Sequence, residues 1–421
     1  MSKTKMYHSL RAGVVISALL ASTGLASATA GYFQLGFGPR QNAMGGAGVA
    51  DSRDAMAMAL NPAGIAGMDS ELQLGVTLFM PFRGYDAGPG FAASPGVESD
   101  SNIFAVPNAA YVHKIDEDSS LGVTLYGNGG MNTNYADAPN AACPPGGSGV
   151  FCGGKAGVDL MQAFLSVDYA RRFGPLKIGI APTLVGQRFK ADGLGAFGMM
   201  GFSSDPTHLT NNGYSYSWGG GLRAGAELSV AENLRLAVSG QTKMWMSKFD
   251  KYSGLFSDGG DFDIPAAITA GIAFDATPDL TFSADYQHIF YSGVNAVSNS
   301  SLITPGSLGT ANGPGFGWHD VDVFKLGAEW RATDIWTLRA GYAYSTNPVK
   351  SSDVMFNILA PGVVKHHITA GASVQASEKN SLDFSAMYVP DSSVSGLGMG
   401  GQPISIHMHQ WQFGAGWTHK F

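Results

Sequence analysis

The chain is poor in charge, in cysteine and in long apolar runs. Charged residues make up 14% of its 421 positions, where about 25% is ordinary for a soluble domain. Only two cysteines occur, Cys143 and Cys152; two alone make a poor metal site, and no histidine lies close to them in sequence. Beyond the first thirty residues nothing approaches the ~20 consecutive apolar residues that a membrane helix needs. The formal net charge of −7 offers no basic footprint, so nucleic acid is not an expected partner. No Gly-x-Ser-x-Gly motif is present, and stretches such as Gly398-Met399-Gly400-Gly401 open no helix after a buried strand, so they are loop material and not phosphate cradles. His366-His367 and the pair His407 and His409 fall near strand ends, where a polar rim is the reading taken. No metal and no cofactor are expected, and no enzymatic activity.

What the chain does have is alternation. Trp411, Phe413, Ala415, Trp417 and Phe421 share one parity, while Gln410, Gln412, Gly414, Gly416, Thr418 and Lys420 take the other. Phe282, Ala284 and Tyr286 stand against Thr281, Ser283, Asp285 and Gln287 in the same way, as do Leu338, Ala340, Tyr342 and Tyr344 against Thr337, Arg339, Gly341 and Ala343. A period of two places successive side chains on opposite faces of a strand. About fourteen such segments follow one another from Leu72 to Phe421, which describes a closed transmembrane β-barrel with one face to lipid and one to a polar interior. The 58 glycines and 11% aromatics suit that architecture. A hydropathy window averages the two faces and misses it.

The N-terminus and the connections agree. Lys3, Lys5 and Arg11 precede an apolar run over residues 12–21 and the small-residue stretch Ala28-Thr29-Ala30, the pattern of a cleaved signal peptide spanning 1–30, with cleavage after Ala28 as the alternative. Short turns are expected at 116–120, 173–175, 231–233, 277–279, 332–334 and 377–380. Long connections are expected between them, at 83–102, 129–157, 190–213, 246–262, 292–318, 346–363 and 391–406. Strict rotation of short and long is the rule for outer-membrane barrels. After export to an oxidising compartment, Cys143 and Cys152, nine positions apart in the second long connection, are expected to form a disulfide that stiffens it.

A barrel this wide must leave a channel or be plugged. Residues 31–70 are left over ahead of the first strand and are the expected plug, with 71–421 forming the barrel. Within the plug, residues 51–60 suit a short helix with Asp51 or Ser52 at its N-cap, stopped by Pro62. Parity places Arg223, Glu227, Asp285, Lys325, Glu329, Arg331, Arg339 and Asp383 in the lumen, available to pair with one another and with plug groups such as Arg53 and Asp54.

Asp54-Ala55 followed by Asn61-Pro62-Ala63-Gly64, with Gly31-Tyr32-Phe33-Gln34-Leu35 ahead and Gly45-Gly46-Ala47-Gly48 between, resembles the hatch of the FadL/TodX-type outer-membrane transporters. Gly341-Tyr342-Ala343-Tyr344 with Asn347-Pro348-Val349, and the terminal Phe421, extend the likeness over the mature chain. Pro39-Arg40-Gln41-Asn42 departs from the polar small-residue run usual there. The resemblance implies a monomer in the outer membrane of the Gram-negative type, among its lipid and lipopolysaccharide. It passes long-chain fatty acids or aromatic hydrocarbons by passive, plug-gated diffusion.

In such transporters a groove between the third and fourth long loops catches the ligand. Here Leu194, Phe197, Met199, Met200 and Phe202 stand in the one, and Leu255 and Phe256 with Phe249 and Tyr252 in the other. So many apolar side chains in water-facing loops mark a binding surface. Movement of Gly31, Tyr32 and Phe33 would open a lumen pocket closed below by the hatch. An inward kink of the third strand, which here runs into Gly127-Asn128-Gly129-Gly130, would give a lateral exit; glycine at a strand end permits such a bend. The alternatives are a general porin for hydrophilic solutes and a barrel lipid hydrolase.

Overall fold

The computed structural model describes residues 30–88 and 94–421, so the expected signal peptide lies outside the described residues except for Ala30. The alternating segments form fourteen wall strands. These are β1 (Glu71–Ala87), β2 (Phe104–Lys114), β3 (Ser119–Asn132), β4 (Gly157–Phe173), β5 (Leu176–Asp192), β6 (Ser215–Ala231) and β7 (Leu234–Gln241). The circuit continues through β8 (Ala267–Thr277), β9 (Leu280–Ile289), β10 (Val321–Arg331), β11 (Trp336–Ser345), β12 (His366–Ser377), β13 (Asn380–Leu397) and β14 (Pro403–Lys420). Each pairs antiparallel with the next, and β14 returns to β1 with Lys420 opposite Glu71 and Ile404 opposite Ala87, which closes the cylinder. Two short strands, Ser94–Glu98 and Trp245–Met246, pair with β1 and β6 outside the wall circuit.

The faces sort as the alternation requires. Trp411, Phe413 and Trp417 are exposed on the outside while Gln410, Gln412 and Thr418 are buried inside. Phe282 and Tyr286 likewise face out, against buried Thr281, Ser283 and Asp285. A cylinder has no free edge, so every backbone group along the wall can be paired within it. Strand lengths are uneven: β7 has 8 residues, and β13 and β14 have 18 each.

Two expected loops are largely strand. Residues 391–406 lie mostly in β13 and β14, whose ladder continues as far as Leu397 opposite Pro403. Pro390 falls in a register shift between Val389 and Ser392, where a bulge spares proline a ladder hydrogen bond and lets the strand run on. β1 similarly runs on past Arg83 to Ala87, paired with β14 throughout.

Residues 31–66 lie among the inward side chains of the wall, almost all of them buried. The chain there makes a five-residue helix, Pro39–Ala43, and two short 3-10 turns, Ala55–Ala59 and Pro62–Ile65. The single helix expected over 51–60 is replaced by the first of these turns, and Asp51 does not cap it, because its carboxylate is taken by three guanidiniums. Arg40, Arg53 and Arg235 approach it at 2.6, 2.8 and 3.2 Å. Asn61 caps the second turn by accepting from the Ala63 N–H at 3.0 Å, with Pro62 at the first helical position, where its missing N–H leaves nothing unpaired. Wall glycines make room for these turns. A side chain at Gly179 would strike the Pro62 and Ala63 backbone, and one at Gly225 would strike the Asn61 amide.

Arg40 ties the segment to the wall. Its Nε donates to Glu329 at 2.8 Å and its Nη1 to the Asp51 carbonyl at 3.0 Å. Arg339 holds the same Glu329 oxygen at 2.6 Å and reaches Asp383 at 3.5 Å. Of the charges expected in the lumen, Arg331 is the exception; it is exposed beside the short turn, 3.8 Å from Asp279, because its strand ends there. Asp54 is buried but makes no ion pair among the described residues.

Removing the Arg40 charge leaves Asp51 with Arg53 and Arg235, and Glu329 with Arg339 and Arg53, but it takes away the one buried group that bonds both carboxylates at once; breaking a buried pair costs up to about 3–5 kcal/mol, less where other partners remain. Arg40→Met is therefore expected to loosen the N-terminal segment while the cylinder stays folded. A cysteine at Ala57, buried in the parent, should then react with a thiol reagent, with unchanged heat-modifiable mobility. Acid acts in the same sense. Burial alone would raise the Asp51 carboxyl, but Arg40 and Arg53 outweigh it and hold it below the ordinary carboxylate value. Its contribution is present above that ordinary value and is lost only as pH falls through the lower one.

Candidate functional site

β3 parts company with β2 halfway up the wall. Their pairing runs from Lys114 opposite Ser120 to Asn108 opposite Tyr126 and stops. β2 continues beside β1 to Phe104, and β3 continues beside β4 to Asn132. On one side of the break stands Pro107, which has no N–H to give to a ladder. On the other is a shift in register between Gly127 and Gly129, with Asn128 as the extra residue. Beyond Tyr126 the alternation of burial on β3 disappears, and Gly127, Asn128, Gly129, Gly130, Met131 and Asn132 are all buried. That half of the strand is covered on both faces while it stays paired with β4.

The start of the described chain meets it there. Gln34 N donates to the Asn128 carbonyl at 3.0 Å, and Phe33 makes a bridge with Gly129. Gly129 packs so closely on the Tyr32 carbonyl that no side chain fits between them. Residues 30–33 form a tight turn, with Gly31 in the left-handed region at φ 66°. An aromatic cage surrounds it. The Tyr32 ring lies 5.3 Å from Tyr291, 5.9 Å from Trp318 and 6.2 Å from Phe262, and Phe33 lies 5.8 Å from Tyr291. Tyr291 Oη donates to the Ala30 carbonyl at 2.7 Å and accepts from Tyr32 N at 3.0 Å. Trp318 is held by the Asn357 amide oxygen at 2.6 Å.

Above this turn the long loops enclose an apolar pocket. Phe189, Leu194, Leu255, Phe256, Phe316 and Phe356 line it, and its free volume is only about 40 Å³. Phe197 is buried beside it, 5.5 Å from Phe151 and 5.7 Å from Phe356, and Phe202 lies 6.4 Å from Phe197. Met199 and Met200, at the end of the helix Gly195–Met199, are 82% and 47% exposed and do not line the pocket. Phe249 and Tyr252 pack against Phe189 at 5.6 and 4.9 Å. The second long loop carries the Cys143–Cys152 disulfide and ties itself to the sixth, where Thr133 and Tyr135 donate to the Leu359 and Ile358 carbonyls at 2.8 Å each.

The family model for "Outer membrane protein transport protein (OMPP1/FadL/TodX)" matches residues 18–398. The chain belongs to that family. It is an outer-membrane protein, and its relatives are transport channels.

The fold agrees with solved members of the FadL/TodX family. The Pseudomonas putida toluene transporter TodX matches with a TM-score of 0.67 at 16% identity, covering 93% of this chain and 100% of that one. The Ralstonia pickettii toluene transporter TbuX gives 0.64 at 18%, covering 92% and 98%, and a Pseudomonas aeruginosa FadL homologue gives 0.68 at 15%, covering 93% and 100%. No curated protein matches.

The structure brings Gly31, Tyr32 and Phe33 together with Gly127, Asn128, Gly129 and Gly130, and keeps Asn61, Pro62, Ala63 and Gly64 apart from them against β5 and β6. Sequence reasoning missed Tyr291 and Trp318. Tyr291 stands just ahead of the connection 292–318 and Trp318 at its end, and no local signal shows that the closed wall carries both to the N-terminal turn. Arg40 stood out in the sequence only as part of a departure from the family's hatch, and its partners Asp51 and Glu329 were not foreseen.

Any Cβ at position 129 displaces the Tyr32 carbonyl. Gly129→Ala should therefore push the N-terminal turn off β3. A cysteine placed at Phe33, protected in the parent, should become reactive to a membrane-impermeant thiol reagent added from outside, in a barrel that still folds.

Proposed function

We propose that this chain passes hydrophobic small molecules across the outer membrane by passive diffusion, without chemistry, and releases them sideways through the break between β2 and β3. The observation that carries this reading is the end of the β2–β3 ladder at Tyr126 and the meeting of the freed part of β3 with Phe33 and Gln34. An apolar solute leaving through a wall opening never crosses a wet channel, and an opening held shut by the chain's own N-terminal turn is a gate.

In this reading residues 31–66 are the hatch. The body of the hatch is clamped through Arg40, Asp51 and Glu329, and the turn at residues 30–33, held by rings and a few hydrogen bonds, is the part that moves. The loop pocket around Phe189, Leu194 and Phe256 is the outer receiving site. Its small free volume means that the rings must part for a ligand, and Met199 and Met200, exposed in the same loop as Leu194, offer flexible thioethers to ligands of varied shape. Solved relatives bear the name of toluene transporters, and aromatic hydrocarbons or long-chain fatty acids are the substrates proposed here. The working unit is a single chain among outer-membrane lipid and lipopolysaccharide.

Phe197→Asp combined with Phe256→Asp should lower uptake of a radiolabelled hydrophobic probe by roughly tenfold or more, since each puts an unpaired charge among apolar side chains. Heat-modifiable mobility should be unchanged. Uptake at the parent rate in a folded double variant sinks the loop pocket. A large steady ion current through the parent in planar bilayers would replace a gated transporter with an open pore.

A further inference from the structure

Two segments far apart in the chain are joined above the N-terminal turn. One is Phe316, Gly317 and Trp318, at the end of the fifth long loop, and the other is the helix Val354–Asn357 of the sixth. Asn357 makes the joint. It is fully buried and its amide is fully used: Oδ1 accepts from Trp318 Nε1 at 2.6 Å, while Nδ2 donates to the Phe316 carbonyl at 2.7 Å and to the Asp353 carbonyl at 2.8 Å. Asp353 adds a wedge. Its carboxylate accepts from Ser301 N at 2.7 Å and packs on Gly317, where a side chain would overlap it, and Gly317 lies in the left-handed region at φ 68°.

The joined piece serves two places. Phe316, Phe356 and Leu359 line the apolar pocket among the long loops, and the Phe356 ring stands 5.7 Å from Phe197. Trp318 stands 5.9 Å from Tyr32 and 5.2 Å from Tyr291. Gly362, a little further along the sixth loop, packs on the turn itself, so that a Cβ there would lie 3.4 Å from Gly31 Cα and 3.3 Å from the Trp318 ring. A brace confined to the sixth loop would need only the bond from Asn357 to the Asp353 carbonyl. The bond to the indole reaches across to the ring that covers Tyr32. Close-packed interiors pass a displacement on instead of absorbing it, and an indole N–H buried without its acceptor is costly, so Trp318 follows Asn357.

We propose that Asn357 is a positioning residue of the gate. It makes Phe316, Phe356 and Trp318 one rigid unit, so the rings of the outer pocket cannot part without Trp318 drawing away from Tyr32. With the indole displaced, the turn at residues 30–33 is left to Tyr291, to Phe262 and to its two meetings with β3. Release of the turn is thereby timed to the widening of the pocket above it, through the sixth loop. The inference rests on the transport reading above and names the residue through which its outer site and its gate move together.

The test uses the full chain in outer-membrane vesicles with Phe33→Cys as reporter, labelled from outside by a membrane-impermeant maleimide, while Cys143 and Cys152 stay in their disulfide. Trp318→Phe keeps a ring and deletes the indole N–H, Asn357→Leu deletes the acceptor, and each should speed labelling about tenfold or more. The double variant should label no faster than the faster single one, because both changes cut the same bond. Leu194→Trp overfills the pocket without any ligand; it should speed labelling about fivefold in the chain with Asn357 and less than about twofold with Asn357→Leu. Folding is followed by heat-modifiable mobility, and Trp318→Phe replaces Asn357→Leu as the background if the latter does not fold. Parent-like labelling of the folded single variants, effects that multiply in the double variant, or an equal response to Leu194→Trp in both backgrounds overturns the assignment and leaves the transport reading standing. A parent chain that admits no radiolabelled hydrophobic probe overturns the transport reading as well.

Discussion

The Glu329 carboxylate, gripped by Arg40 from the N-terminal segment and by Arg339 from the neighbouring strand, is the interaction on which the interior depends. A fourteen-strand cylinder is too wide for its own side chains to fill. The space must take a further piece of chain, and that piece brings polar backbone with it. Buried charge is tolerated only where it is matched. Arg40, Asp51, Arg53, Arg235, Asp275 and Glu329 form one connected set, and with the close packing of Met58 and Ile65 on Gly122 it fixes the position of the segment.

Once the body of the segment is anchored, the first few residues are free to serve another purpose. They are held by ring contacts, one tyrosine hydroxyl and two meetings with β3. Such contacts exchange far more readily than a network of buried ion pairs. Ion pairs hold the body of the segment and rings and a few hydrogen bonds hold its start, beside the part of β3 that has no β2 partner.

Much of the wall was legible because a strand writes its two faces into alternate letters. The parity of Trp411, Phe413 and Trp417 needed no knowledge of their neighbours. What was not legible is whatever depends on closure. Tyr291 and Trp318 meet Tyr32 only because the circuit returns across the lumen. Ser393 and Ser395 read as loop, yet they continue the β13 ladder because β14 supplies partners. Asp51 has the letter of a helix cap and the surroundings of an ion pair, and the surroundings prevail. The glycines at 127, 129 and 130 marked where a bend was permitted, but its direction followed from the loss of β2 as a partner.

The uneven wall has a consequence for how the mouth is approached. The short turns lie at one end of the cylinder, so the ten-residue difference between β7 and β14 appears entirely at the other end, about 33 Å of chain at ~3.3 Å per residue. The rim is uneven: β4, β5, β6, β13, β14 and β1 have 17 or 18 residues each, while β7 to β12 have 8 to 12. Along that lower stretch the connections 242–266, 290–320 and 346–365 stand where the taller strands carry ladder, so the border of the mouth there is set by the packing of loops and not by strand pairing.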